Sequence, residues 1–142
     1  MEGIDWGIYG IQKNPIITQE LISAIETQLD LTLPETYLDL IKYSDEASPE
    51  ISTFSYADES TCISEFFEFS QKNQPYTVCW YMDPYPSLGL PDRFLPFARD
   101  AGDQLMCLDY NFTPPTVELF KPQSKERFFV ADNFEDFVKL WR

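Results

Sequence analysis

The chain has no histidine among its 142 residues. That removes the side chain whose ordinary pKa lies nearest neutrality, and with it any histidine-dependent catalytic triad. Cysteine is scarce: Cys62, Cys79 and Cys107 cannot all pair, and their spacing fits no metal-knuckle pattern. With no histidine to lower a thiol pKa, none of the three reads as a nucleophile. The five glycines form no phosphate-cradling loop. Bases are few, 10 against 24 acids, so the formal charge is −14. Nucleic-acid binding therefore loses its electrostatic footing, and an anionic membrane surface is repelled. No apolar run reaches membrane-spanning length, and the first residues lack the basic start and apolar stretch of a signal peptide.

What is present is enough apolar material for one core: 44% of residues are hydrophobic and 16% aromatic. A chain of this size reads as a single domain over residues 1–142. Cys79 and Cys107 sit in apolar runs, as buried free thiols do, which favours a reducing cytoplasm. An acidic surface keeps a small protein soluble, and it also draws in basic partners and speeds their association.

Ile4, Trp6 and Ile8 alternate with Asp5 and Gly7, the pattern of a short strand or an irregular arm ended by Gly10 and Pro15. Residues 18–29 read as a helix, with Leu21, Ile22, Ile25 and Leu29 at helical spacing and Thr18 as N-cap. Pro34 suits the first position of a second helix, in which Leu33, Tyr37, Leu40 and Ile41 share a face. So short a connection predicts a helical hairpin. Residues 44–49 read as a polar loop. Strand-like runs follow at Ile51–Tyr56, at Ile63–Phe69 (helical over part of its length in an alternative reading) and at Thr77–Met82. Residues 83–91 carry three prolines and a glycine and read as a shaped loop. Phe94–Arg99 and Gln104–Tyr110 form a predicted hairpin, with Gly102 as the residue that supplies a positive φ. Thr116–Lys121 and Arg127–Ala131 are further strands. Asp132 with Glu135 suggests a capping box for a last helix whose Phe134, Phe137, Val138 and Trp141 make an apolar stripe. Helices, then strands, then a helix predict an α+β domain: an antiparallel-rich sheet packed by an N-terminal helical hairpin and a C-terminal helix.

The chemistry left to such a chain belongs to carboxylates. Asp100, Asp103 and Asp109 are oxygen donors around one turn, but their spacing matches no calcium loop, and acids at turns commonly bind backbone amides. No cofactor or metal is implied. Trp80, Tyr81, Tyr85 and Phe94 flank the proline-rich loop. Rings beside acids on such a loop suit a protein-binding surface, with core filling as the alternative for each ring.

Three segments, in order, carry a family resemblance. Leu33-Pro34-Glu35-Thr36-Tyr37 is similar to an "LP-x-x-Y" helix opening. Leu95-Pro96-Phe97-Ala98, Gly102-Asp103 and the apolar run ending at Asp109 resemble a "PFA…GD…D" strand pair, and Val130–Phe137 resembles a closing helix. The set resembles the SMI1/KNR4 (SUKH) superfamily. Residues 60–93 match it only loosely, and Ser44-Asp45-Glu46-Ala47 stands where many members carry an Asn-Gly-Gly-like turn. The resemblance implies an α+β fold, and the missing histidine and unactivated cysteines point to binding without catalysis. For bacterial members it implies an immunity protein that binds and neutralises a cognate polymorphic toxin, often a nuclease or deaminase. Fungal members are instead regulatory scaffolds. A phosphate-engaging toxin domain is basic, so an acidic inhibitor suits it. On that reading the partner-facing positions are Asp83, Tyr85, Asp92, Asp100, Asp103 and Asp109. Asp109 shares a strand face with Leu105 and Cys107, which also suits partial burial. The competing readings are a scaffold module with an endogenous partner and a carboxylate-dependent hydrolase.

Overall fold

In the computed structural model, which describes residues 4–82 and 89–142, two helices lead into the sheet: α1 (Gln19–Leu29) and α2 (Glu35–Tyr43). Thr18 caps α1, its hydroxyl accepting the Leu21 N–H at 3.2 Å. The turn between the helices is fastened by Glu26, whose carboxylate accepts the Leu33 N–H at 2.7 Å. Pro34 stands one residue before α2, as its N-cap, and Leu33, Tyr37, Leu40 and Ile41 are all buried.

Strands β1 (Phe54–Tyr56) and β2 (Glu59–Thr61) make a separate hairpin. Strands β3 (Ile63–Phe66), β4 (Phe94–Asp100), β5 (Leu105–Asp109), β6 (Thr116–Lys121) and β7 (Glu126–Ala131) form a five-stranded sheet in sequence order, antiparallel throughout. Helix α3 (Phe134–Lys139) closes the chain. The domain is α+β, as the order of elements predicts.

Cross-strand pairing sorts the sheet into two faces. Phe66, Ala98, Met106, Leu119 and Phe128 align on one. That face meets the helices through rings: Phe66 lies 6.2 Å from Phe134, and Tyr37 of α2 lies 5.5 Å from Phe134. Pro96, Cys107, Glu118 and Phe129 align on the other. Segment 67–82 reaches this second face, with Tyr81 stacked on Phe67 at 5.0 Å and Arg99 over the Tyr76 ring. Every residue of β5 is buried, which is why its sequence shows a run rather than an alternation.

Several local expectations give way. Trp6–Tyr9 is a 3₁₀ turn, not a strand: the Asp5 side chain accepts the Gly7 N–H, and Trp6 is buried with its indole N–H donating to Asp39 at 3.1 Å. A short polar side chain competes with extended pairing here and wins. Ile63–Phe69 is strand only to Phe66, and no helix forms there. Thr77 makes an isolated bridge to Glu68, and Trp80–Met82 is a second 3₁₀ turn. In the β4–β5 turn the positive φ belongs to Asp103, at 62°, not to Gly102. The cap of α3 is Asn133, whose side chain accepts the Asp136 N–H at 2.8 Å, not Asp132. The loop after α2 is less polar in effect than in composition, since Ser44, Asp45 and Ala47 are buried.

Candidate protein-binding surface

The four predicted partner-facing residues that are described do not converge. Asp83 and Tyr85 lie outside the described residues. Asp92 precedes β4 and Asp109 ends β5, so both stand at one end of this strand pair, whereas Asp100 and Asp103 stand in the turn at the other. A seven-residue strand separates the two ends by roughly 20 Å.

Burial divides the acids again. Asp100 and Asp109 are each 2% exposed. One Asp100 oxygen accepts the backbone N–H groups of Gly102 and Gln104 at 2.9 and 2.8 Å, and the other accepts the Thr61 hydroxyl at 2.9 Å. It ties its own turn to β2. Asp109 accepts the backbone N–H and side-chain amide of Asn111 at 2.9 and 2.8 Å, and it is hydrogen-bonded to Glu118 on β6. Burial first, and then Asp109, raises the Glu118 carboxyl to about 7. For Asp109 burial acts upward too, but the bonds from Glu118 and Asn111 outweigh it and the net direction is down. Two carboxyls with pKa values pushed apart are what acid–base catalysis requires. These two are folded into the sheet, and Glu118 is also buried, so neither meets a substrate as the chain stands.

Among the described residues, no three histidine, cysteine, aspartate or glutamate side chains are grouped to hold a metal ion. The cysteines are free; Cys79 and Cys107 are buried, and desolvation pushes the Cys79 thiol up to about 11. No described helix is long and apolar enough to cross a membrane.

Asp92 and Asp103 are exposed. At the first end, Asn111 donates to the Asp92 carbonyl at 3.0 Å, and the Tyr110 hydroxyl donates to Thr32 at 2.9 Å, joining β5 to the α1–α2 turn. Phe112 stands out from this end, 56% exposed, with Asp30 of the α1–α2 turn exposed as well. At the second end, Asp103 pairs with Arg99, which also pairs with Glu65 at 2.9 Å. Phe112 is thus an exposed ring at the end of the strand pair that also carries exposed Asp92. Among the residues flanking the proline-rich loop, Tyr81 and Phe94 are core and Trp80 is half-buried. The signal for Phe112 was its setting, Asn111-Phe112-Thr113-Pro114, a turn composition with no periodic partner to bury the ring.

Charge reinforces the pattern. Lys72, Arg99, Lys121 and Lys139 are each ion-paired to an acid of the same chain, and with 24 acids against ten bases the surface excess is carboxylate. An acidic surface with exposed rings at its edges can bind a basic protein partner. A search of curated protein sequences finds no match. The sequence profile of the SMI1 / KNR4 family (SUKH-1) matches residues 16–140, from just before α1 to α3, and includes all five strands of the main sheet. The chain belongs to the SMI1 / KNR4 (SUKH-1) family, whose domains are in general protein-binding, of the immunity-protein type and not enzymes.

Proposed function

We propose that this protein is an immunity protein: a cytoplasmic, stoichiometric inhibitor that binds a cognate bacterial toxin domain and blocks it without turnover. The observation that carries the reading is a SUKH-1 domain spanning residues 16–140 on a chain with a formal charge of −14. A nuclease or other toxin that grips phosphates presents a basic surface, and such a surface is drawn to this one at long range. Exposed Asp92 and Asp103 are the steering charges. Buried Asp100 and Asp109 shape the strand ends that present them. Asp83 and Tyr85 remain in the proposal from the sequence alone.

The test is co-expression with any toxin domain that a neighbouring gene encodes. Growth restored by this protein and abolished in its absence supports the reading; no protection ends it. In a purified complex, the association rate should fall as salt rises. Asp92→Lys should slow association further while the melting temperature stays within a degree or two of wild type. A regulatory scaffold would instead capture a housekeeping protein and leave toxin sensitivity unchanged.

A further inference from the structure

The segment before α1 and the loop after α2 are laced together at two points. The Asn14 N–H donates to the Tyr43 carbonyl at 2.8 Å, and the Glu50 and Ile51 N–H groups donate to the Tyr9 carbonyl at 2.8 and 3.0 Å. Between these points the two segments part and leave a cleft of about 500 Å³. That volume lies in the range of small-ligand sites and has room for a long side chain.

Ile11 and Ala47 line the cleft and are buried, while Glu46 and Glu50 line it and are exposed. Gly10 has φ of 77°, and Glu50 lies against it so closely that an added Cβ would come within 2.7 Å of the Glu50 Cβ. The bare glycine therefore sets where the Glu50 carboxylate stands. Glu46 has φ of 55°, a left-handed conformation that glycine takes without strain. This is the turn at which the chain departs from the Asn-Gly-Gly pattern, and the residue installed there carries a carboxylate. That carboxylate is hydrogen-bonded to Glu68, and Asp45, Glu65 and Lys72 are the other charges that bear on the pair. Desolvation first, then Glu68, raises the Glu46 carboxyl. Lys13 is the one base among the residues lining the cleft; Asn14, Ser44 and Ser48 add polar acceptors.

Beside the cleft stand two aliphatic side chains with no place in the core, Ile8 at 60% exposure and Ile51 at 44%. They flank Tyr9 and Glu50, so the lacing itself holds them next to the opening. An acidic socket with an apolar rim matches a lysine or arginine carried on a protein loop beside an aliphatic or aromatic neighbour. A carboxylate ligand would meet like charge, and a purely apolar segment would bury Glu46 and Glu50 without bringing a countercharge.

We infer that this cleft is a docking socket for a basic side chain of a partner protein, with Glu46 and Glu50 as its charge partners and Ile8 and Ile51 as its apolar rim. The inference rests on the protein-binding reading of the domain and specifies where binding occurs, apart from the strand ends carrying Asp92 and Asp103.

The decisive experiment needs no toxin. The probes are the blocked tripeptides Ile-Arg-Ile and Ile-Gln-Ile, titrated into the isotopically labelled protein and followed by amide NMR. The arginine peptide should shift residues 10–13 and 44–51, and the glutamine peptide should bind roughly tenfold more weakly. Glu46→Gln with Glu50→Gln should bring the arginine peptide down to the level of the glutamine peptide. Ile8→Ser with Ile51→Ser should weaken both. Shifts scattered over the acidic surface, equal affinity for the two peptides, or no binding in a folded protein would overturn the socket. The growth assay reports separately: a toxin that is not neutralised ends the immunity reading, whatever the peptides do.

Discussion

Asp109 and Glu118 stand on neighbouring strands, β5 and β6, with their carboxyls hydrogen-bonded to each other, which lowers the pKa of the first and raises that of the second. The Thr116 hydroxyl donates to Glu118 at 3.0 Å, Asn111 donates to Asp109, and the charge of Arg127 on β7 bears on both. Glu118 is the carboxyl whose pKa rises because Asp109 is the better-supported anion.

That rise makes stability depend on pH with a definite sign. Glu118 rises from 4.5 to about 7 on folding, so between these values the folded state binds more protons than the unfolded one. Its contribution is complete below the unfolded pKa and is lost as pH rises through 7. Wild type should therefore lose about 1–3 kcal/mol relative to Glu118→Gln between pH 5 and pH 8. Glutamine keeps a donor toward Asp109 and has no proton to lose. Denaturant melts of both proteins across that window check it; parallel pH profiles would show that the Glu118 pKa is not raised.

The β4–β5 turn separates a structural acid from a surface one. Asp100 satisfies two backbone N–H groups and the Thr61 hydroxyl while 2% exposed. Asp100→Ala leaves those donors unpaired and should cost about 2–4 kcal/mol. Asp103 makes an ion pair with Arg99 from a side chain that is 74% exposed. Its replacement by alanine should change stability by no more than about 1 kcal/mol. Equal losses at the two positions, read from chemical denaturation, would contradict this division.

Helix α3 offers a single-residue test of where it begins. Asn133 accepts the Asp136 N–H and its own amide lies 3.3 Å from the Asp136 carboxylate, while Asp132 is exposed one residue earlier. Asn133→Ala should cost about 1 kcal/mol, and Asp132→Ala less than about 0.5 kcal/mol. A larger loss at Asp132 would return the cap to the position that the sequence suggests.

These cases show what a linear pattern carries. The helices and the β4–β5 hairpin were legible because many residues vote together: Leu33, Tyr37, Leu40 and Ile41 fall on one face whatever happens at the ends. Caps and turns hang on one hydrogen bond, for which adjacent polar residues compete, so Asn133 took the place of Asp132 and Asp103 that of Gly102. The candidate site was half legible. That Asp100 binds backbone amides follows from its turn, and the burial of Asp109 follows from the strand face it shares with Leu105 and Cys107; which end of the strand pair each acid occupies does not. Ile8 and Ile51 gave no warning, because an isolated isoleucine reads as core until the fold leaves it outside.

Tyr37 of α2 is a polar side chain enclosed in the core, 1% exposed. Its ring meets the edges of Phe69, Phe97 and Phe134 at 6.2, 6.2 and 5.5 Å, yet its hydroxyl finds no hydrogen-bond partner among the described residues. Burial, with Asp45 adding to it, pushes the phenol pKa far up, so the group stays neutral. A hydroxyl moved from water into such a setting without a partner costs about 1–3 kcal/mol. Tyr37→Phe keeps the ring contacts and removes that cost, so it should stabilise the domain by about 1 kcal/mol and raise Tm by about 3 °C. Tyr37→Ala removes the ring as well and should destabilise by about 3–5 kcal/mol. Calorimetric melts of the two variants separate ring from hydroxyl. A phenylalanine variant less stable than wild type would mean that the hydroxyl is hydrogen-bonded in solution and contributes to holding α2 against the sheet.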